Sequence, residues 1–233
     1  MEQDLKFRTF ERATNLSMEA LCRDLFLDNR ESIKINKEAV AVKNLVKIMN
    51  AALKLCNRKG FAAMSLRDLS KEAGLSMGAL YAYFTSKDEL LRIMQQQGSL
   101  VVVRVLQSHI EGNADPLSRL RRVIHAHLYL SEVMQPWFYF SYMETKNFPK
   151  QEHKKAIEGE LFTEKILIHI IEEGQEKGIF KPVNPELLGA AIKAMLQDWY
   201  LKRWKYAKRK VSVEAYAAFV VDFIESYLVS QSS

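Results

Sequence analysis

Proline and glycine are scarce in this chain. There are five prolines and nine glycines in 233 residues, and the first proline is Pro116. Long uninterrupted helices are therefore allowed over the whole first half, and an all-β sandwich, which needs frequent turn residues, is disfavoured. Cysteine is nearly absent: Cys22 and Cys56 stand far apart with no Cys-x-x-Cys spacing. Neither a disulfide framework nor a cysteine zinc site is indicated, and a reducing cytoplasm is the expected compartment. Apolar runs such as Leu100 to Val103 fall far short of the roughly 20 residues that span a bilayer, so no membrane partner is expected. Met1 to Leu5 carries two acids, and no apolar signal core precedes the charged stretch from Lys6 to Arg12. What remains is ordinary globular usage, 48% hydrophobic and 27% charged, at a length that suits one large or two modest domains.

Charge is unevenly placed. The formal net charge is +6, and Val40 to Arg92 holds nine Lys or Arg against four acids, a net of +5. Residues 1–39 hold seven against eight, a net of −1, which leaves +2 for the larger remainder. A basic segment in an otherwise balanced chain favours a polyanion partner there. A second basic knot lies at 202–210, made of Lys202, Arg203, Lys205, Lys208, Arg209 and Lys210.

Apolar spacing predicts helix nearly throughout. Val42, Leu45, Val46, Met49, Ala52, Leu53 and Cys56 recur at three- and four-residue steps and predict one amphipathic helix from about Ala39 to Lys59, ended by Gly60. Ser65 with Asp68 forms an approximate capping box for a short segment that Gly74 breaks, and a second short segment runs from Ser76 to Phe84. Ser86 and Glu89 box the start of a longer helix reaching about Ile110, with Gly98 a bend point. Asp115 before Pro116, Asn184 before Pro185, and Ser212 mark further starts. Trp137 to Tyr142 reads as a short aromatic helix, and Pro149 to Lys177 as a long one closed by Gly178. The expectation is an all-α chain of about nine or ten helices, divided into an N-terminal extension (1–38, partly helical), a small basic module (39–86) and a larger helical domain (87–233).

Two short helices joined at Gly74, with Leu69, Ala73, Leu75, Leu80 and Phe84 inward, have the spacing of a helix-turn-helix. Leu80 and Phe84, four apart, anchor the second helix and leave its other face free for a major groove. A helical hairpin that serves only as core satisfies the same spacing; the local +5 charge tips the balance to DNA.

The residues carry a more specific likeness. Ala51-Ala52-Leu53, Gly60-Phe61, Leu66-Arg67-Asp68-Leu69, Ala73-Gly74-Leu75-Ser76, Gly78-Ala79-Leu80-Tyr81-Ala82-Tyr83-Phe84 and Ser86-Lys87-Asp88-Glu89-Leu90-Leu91 together resemble the N-terminal domain of TetR-family transcriptional regulators over roughly residues 45–92. The resemblance implies a homodimer, a three-helix DNA-binding domain on each subunit, a variable C-terminal domain that binds an effector and dimerises, and no catalytic site. Carried over residue by residue, it implies DNA contacts at Ser65 and Arg67 on the first short helix, at Ser76, Met77, Ala79, Tyr81, Ala82 and Tyr83 on the second, and at Lys87. Tyrosine, serine and lysine side chains suit phosphate oxygens, which fix register. Ala79, Ala82 and Met77 suit thymine methyl groups, and Arg67 carries the fork that favours guanine unless it pairs with Asp68 or Glu72. Lys34, Lys37 and Lys43 form either an arm along the DNA backbone or a solvated face.

Two later stripes are apolar over more than one face. Leu188, Ile192, Met195 and Leu196 belong to one, and Val213, Ala217, Val220 and Ile224 to the other; the resemblance assigns both helices to a four-helix dimer interface, the alternative being ordinary core helices. Trp137, Phe138, Phe140, Tyr142 and Met143, with Trp199, are the candidate effector lining; such clusters also fill cores. They favour an apolar effector, aromatic or acyl, whose anionic head group the 202–210 run would receive if it is not simply a solvated helix end. His125 and His127 lie two apart, which on a helix sends them to different faces, and no histidine completes a metal or cofactor site. The expected function is a ligand-responsive regulator, a repressor on a palindromic operator. The competing readings are a helical carrier of acyl or aromatic ligands whose helix-turn-helix does not read DNA, and an enzyme, for which no acid–base constellation is present.

Overall fold

A computed structural model describes residues 6–110 and 115–229. These form twelve α-helices: α1 (Phe7–Thr14), α2 (Met18–Asp28), α3 (Glu38–Lys59), α4 (Leu66–Ala73), α5 (Met77–Leu80), α6 (Lys87–Ile110), α7 (Pro116–Val133), α8 (Gln135–Glu144), α9 (Lys150–Glu176), α10 (Pro185–Leu201), α11 (Arg203–Lys208) and α12 (Val213–Leu228). One 3-10 turn follows α8, and no strand occurs among the described residues. The extra helices relative to the sequence reading are α1 and α11; α2 is the helical part of the N-terminal extension.

Short polar side chains set the helix starts, because each satisfies one of the first backbone N–H groups that has no partner inside the helix. Ser65, Ser76, Asp115, Asn184 and Ser212 cap α4, α5, α7, α10 and α12 in this way. At α6, Ser86 Oγ accepts from the Glu89 N–H at 3.1 Å, but the Glu89 carboxylate reaches back to Thr85 rather than to Ser86.

The helices fall into two compact units. One unit runs from Asn15 to Val101 and takes in Pro136–Ala156; the other comprises the chain up to Thr14, Val102–Gln135 and everything from Ile157 on. Helix α6 belongs to both, its first part to one unit and its last turns to the other. The N-terminal extension is likewise shared. Phe7 and Phe10 of α1 pack edge-on against Tyr129 of α7, at 5.4 and 5.6 Å between ring centres. Helix α2, by contrast, lays Leu21, Cys22, Leu25 and Phe26 on α3 in the first unit.

The core of the first unit includes Ile48, Met49 and Ala52 of α3 with Leu69, Leu80, Phe84, Leu91 and Met94. Helix α8 is part of it. Trp137 Nε1 donates to the Met94 carbonyl at 3.1 Å, Phe140 meets Phe61 edge-on at 6.4 Å, and Asn57 Nδ2 donates to the Pro136 carbonyl at 3.0 Å. Gly98 serves close approach: a Cβ there would stand 2.6 Å from Trp137 Nε1, so only glycine lets the indole lie against α6. In the C-terminal unit, α10 and α12 both pack on α7, and Arg121 of α7 forms a two-pronged ion pair with Glu225 of α12.

Candidate nucleic-acid interface and effector unit

Helices α4 and α5 form the helix-turn-helix. Ser65 and Asp68 complete a capping box at the start of α4, and Gly74, at φ +63°, ends it in the left-handed conformation that a side chain resists. Leu69, Ala73 and Leu80 turn inward and are buried. Helix α5 is only four residues long, shorter than the Ser76 to Phe84 segment expected. The physical reason lies outside it. The Ala82 carbonyl accepts the Lys34 N–H at 2.9 Å, while Tyr83 N–H turns back to the Leu80 carbonyl at 2.9 Å, so the chain tightens and leaves the helix after Leu80. The segment before α3 thus lies against the end of the reading segment and fixes it.

Charges on this unit are sorted. Lys59 pairs with Asp68 at 2.7 Å, Lys54 with Glu72, and Arg23 with Glu38 at 3.2 Å. The Lys59 ammonium, helped by Ser65, holds the Asp68 carboxyl far below the usual carboxylate range, and Lys54 lowers that of Glu72. Both acids that could have claimed Arg67 are therefore taken. Arg67 is exposed and makes no hydrogen bond or ion pair with any described residue. Lys34, Lys37 and Lys43 are also exposed without an ion pair among the described residues.

The other implied contact residues divide. Tyr81 stands out at 44% exposed, and Met77, Ala79 and Ala82 are half-buried on the outer side. The Ser65 and Ser76 hydroxyls are exposed but already cap their helices, through Asp68 N–H and Ala79 N–H, both at 3.1 Å. Lys87 donates to the Ala62 carbonyl at 2.9 Å and lies over the Phe61 ring at 4.6 Å, which leaves two of its three donors. Tyr83 is corrected: it is 1% exposed, turned inward with Leu80 and Phe84, and burial raises its phenol pKa while the facing Asn44 side chain lowers it. Its hydroxyl has no path to a phosphate in this conformation.

The six aromatic and methionine residues expected to line one cavity are divided between the two units. Trp137 and Phe140 are buried in the DNA-binding unit, Phe138 is half-buried, and Tyr142 and Met143 are exposed on the same helix. Trp199 belongs to the other unit, where its ring packs against those of Tyr206 and Tyr216 at 4.9 and 5.1 Å between ring centres. Its Nε1 donates to Glu132 at 3.0 Å, and Glu132 also receives the Arg203 guanidinium at 2.8 and 2.9 Å. Half of the basic run is neutralised in this way: Arg203 on Glu132, and Lys202 and Lys205 on Asp198. Lys208, Arg209 and Lys210 remain exposed.

On α10 and α12 the residues expected at a dimer interface face their own unit. Leu188, Ile192, Leu196, Val213, Ala217, Val220 and Ile224 are buried, and Met195 is half-buried. The opposite stripes are open and apolar: Leu187, Ala190, Ala191 and Ala194 on α10, and Ala215, Phe219, Phe223 and Tyr227 on α12. Phe219 and Phe223, 61% and 54% exposed, stack on each other. Sequence reasoning found two helices apolar over more than one face, and the residues it assigned to an interface lie on the inward stripe of each. It also passed over a buried polar group, Lys193 of α10 with His127 of α7 and Thr163 of α9, although a lone lysine in an apolar helix was a visible signal.

Comparison with known proteins agrees with this architecture. A family model described as bacterial regulatory proteins, tetR family, matches residues 48–94, and a tetracyclin repressor-like C-terminal domain model matches residues 113–227. The crystal structure of a TetR family transcriptional regulator, PfmR from Thermus thermophilus, is 32% identical, covers 76% of this chain and 96% of its own, and superposes with a TM-score of 0.68. The transcriptional regulator HbdR of Aromatoleum sp. (strain CIB) is 24% identical over 79% of this chain and 80% of its own length. A structure of AibR in complex with isovaleryl coenzyme A and operator DNA shares the fold at 15% identity, with a TM-score of 0.64 over 78% of this chain and 97% of that one. The charge-sorted helix-turn-helix, the all-helical second unit and these matches place the chain in the TetR family of transcriptional regulators.

Proposed function

We propose that the chain is a repressor that binds a palindromic operator as a homodimer and is released by a small apolar or acyl effector. One observation carries the DNA-reading part: the outer side of the helix-turn-helix presents Arg67 and Tyr81 unencumbered, while the neighbouring acids are occupied by other lysines. Arg67 reads a guanine in the major groove, and Met77, Ala79 and Ala82 lie on base methyls. Ser65, Ser76, Tyr81, Lys87, Lys34 and Lys37 hold phosphates on either side.

A single module of this size makes few base contacts, and doubling it on a two-fold site multiplies them. The open stripes of α10 and α12 support that pairing, because stacked exposed phenylalanines and a row of alanines are what close helix–helix contact with a second copy requires. An effector that favours one separation of the two reading heads lowers operator affinity by linkage when that separation is the wrong one. AibR, described with both an acyl-coenzyme A and operator DNA, supports an acyl ligand for a chain of this fold.

The test is selection of bound duplexes from a random pool at two salt concentrations. Enrichment of a palindrome whose binding weakens with salt supports the proposal. Salt-insensitive or absent binding contradicts it and favours a ligand carrier whose helix-turn-helix does not read DNA.

A further inference from the structure

Three helices of the C-terminal unit bring ionisable side chains together away from water. Lys193 of α10 is 5% exposed, and His127 of α7 and Thr163 of α9 are equally sealed. Thr163 Oγ1 donates to the Glu160 carbonyl at 2.9 Å, so its lone pair is left to accept a hydrogen bond from the Lys193 ammonium. His127 Nε2 lies 3.4 Å from the same ammonium. Burial, and then the nearby ammonium, lowers the His127 pKa, which keeps the ring neutral and leaves Nε2 as an acceptor. The counter-charge is Glu160 of α9, with Oε2 3.5 Å from the ammonium and a side chain 38% exposed, its other oxygen accepting from Gln197. Burial lowers the Lys193 pKa, and Glu160 and, more weakly, Glu164, one turn along α9, work against that lowering.

Such a cluster does little for stability. Taking an ammonium out of water is costly, and replacing buried ion pairs by well-packed hydrocarbon is often neutral or stabilising. Buried titratable groups with specific partners gather at functional sites. We propose that Lys193, with His127 and Thr163, anchors the carboxylate of an acidic apolar effector, and that Glu160 holds the ligand's place until it arrives. This rests on the reading of the C-terminal unit as the effector-binding domain.

The asymmetry of the pair carries the argument. Lys193 is sealed while Glu160 reaches water, so Glu160 can turn to solvent at small cost. An incoming carboxylate then keeps one cation and one anion in the cluster. A neutral amide or alcohol makes the same swap only by leaving the ammonium without counter-charge in a medium of low dielectric, and is selected against. The same three helices also bury Leu128, Leu167, Ile170 and Leu196, so the remainder of the ligand meets hydrocarbon.

The test uses the full-length protein and a probe series: straight-chain monocarboxylates from butanoate to decanoate and benzoate, each beside its primary amide. Thermal shift and calorimetry report binding, and release of the selected operator reports coupling. At least one acid is expected to raise Tm and free the operator while its amide does neither. Lys193→Met should weaken that binding by roughly thirtyfold or more. Glu160→Gln, which removes the competing carboxylate, should enlarge the acid-induced shift, and it serves as the check if the lysine variant fails to fold. Equal shifts by acid and amide, no shift by any acid, or weaker acid binding in Glu160→Gln would each overturn the anchor. If the wild-type protein still selects a palindrome while every acid fails, the anchor is wrong and the regulator stands; if no palindrome is selected, the regulator reading itself has failed.

Discussion

Two tyrosines two residues apart give the sharpest contrast in the reading segment. Removing the Tyr81 hydroxyl, as Tyr81→Phe, deletes a donor that is 44% exposed and bonded to no described residue. A hydrogen bond to a charged group contributes about 1.5 to 3 kcal/mol. At the lower end, two copies on a dimeric complex lose about 3 kcal/mol, roughly a hundredfold in operator affinity. Tyrosine carries no charge, so the slope of affinity against salt should stay unchanged. Tyr83→Phe deletes a hydroxyl sealed inside the unit at 1% exposure. Operator affinity should then hold within twofold, and unfolding free energy should move by no more than about 1.5 kcal/mol. Fluorescence anisotropy on the selected operator, paired with urea melts, measures both. Equal losses of DNA binding in the two variants would refute the reasoning, because they would require the segment after Leu80 to turn over when it meets the duplex.

Three further outcomes follow from the same geometry. Lys34→Ala and Lys37→Ala should each flatten the salt dependence of operator binding by about 0.9 for every phosphate no longer neutralised, close to two per dimer; an unchanged slope would leave these lysines as a solvated face. Phe223→Asp should convert the dimer to a monomer in sedimentation while helical content is kept, because that side chain is open in the single chain; a dimer that persists would move the interface elsewhere. Asp198 is partly buried, which alone would raise its pKa, yet Lys202, Lys205 and Tyr206 hold it at about 2 against an ordinary 3.8. A depressed carboxyl pKa gives stability that is whole above the unfolded value and is lost as pH falls through the folded one. The stability gap between the wild-type protein and Asp198→Asn should therefore close between about pH 4 and pH 2, and a constant gap in urea melts would contradict it.

Much of the fold was legible because it is set locally. The capping side chains at Ser65, Ser76, Asp115, Asn184 and Ser212 act within three residues, and each starts a helix where the sequence places it. Features that depend on distant partners were not legible. Helix α5 stops early because a backbone N–H from residue 34 occupies the Ala82 carbonyl, and no spacing within 76–84 encodes that. Gly98 reads as a bend in one dimension, but it is a seat for Trp137, which also draws the aromatic helix into the DNA-binding unit. On α10 and α12 periodicity identified two helices with more than one apolar face, since both Ile224 and Phe223 satisfy it; only packing within the chain separates the buried Ile224 from the open Phe223.

The central claim is that two copies of one surface, with Arg67 at its centre, sit in successive major grooves. Methylation interference at guanine N7 on the selected duplex tests it most directly, since the added methyl group blocks the atom that an arginine fork grips. The account predicts one interfering guanine in each half-site, related by two-fold symmetry, and loss of both signals in Arg67→Ala. Interference at one site alone, at none, or unaltered by the substitution would contradict it.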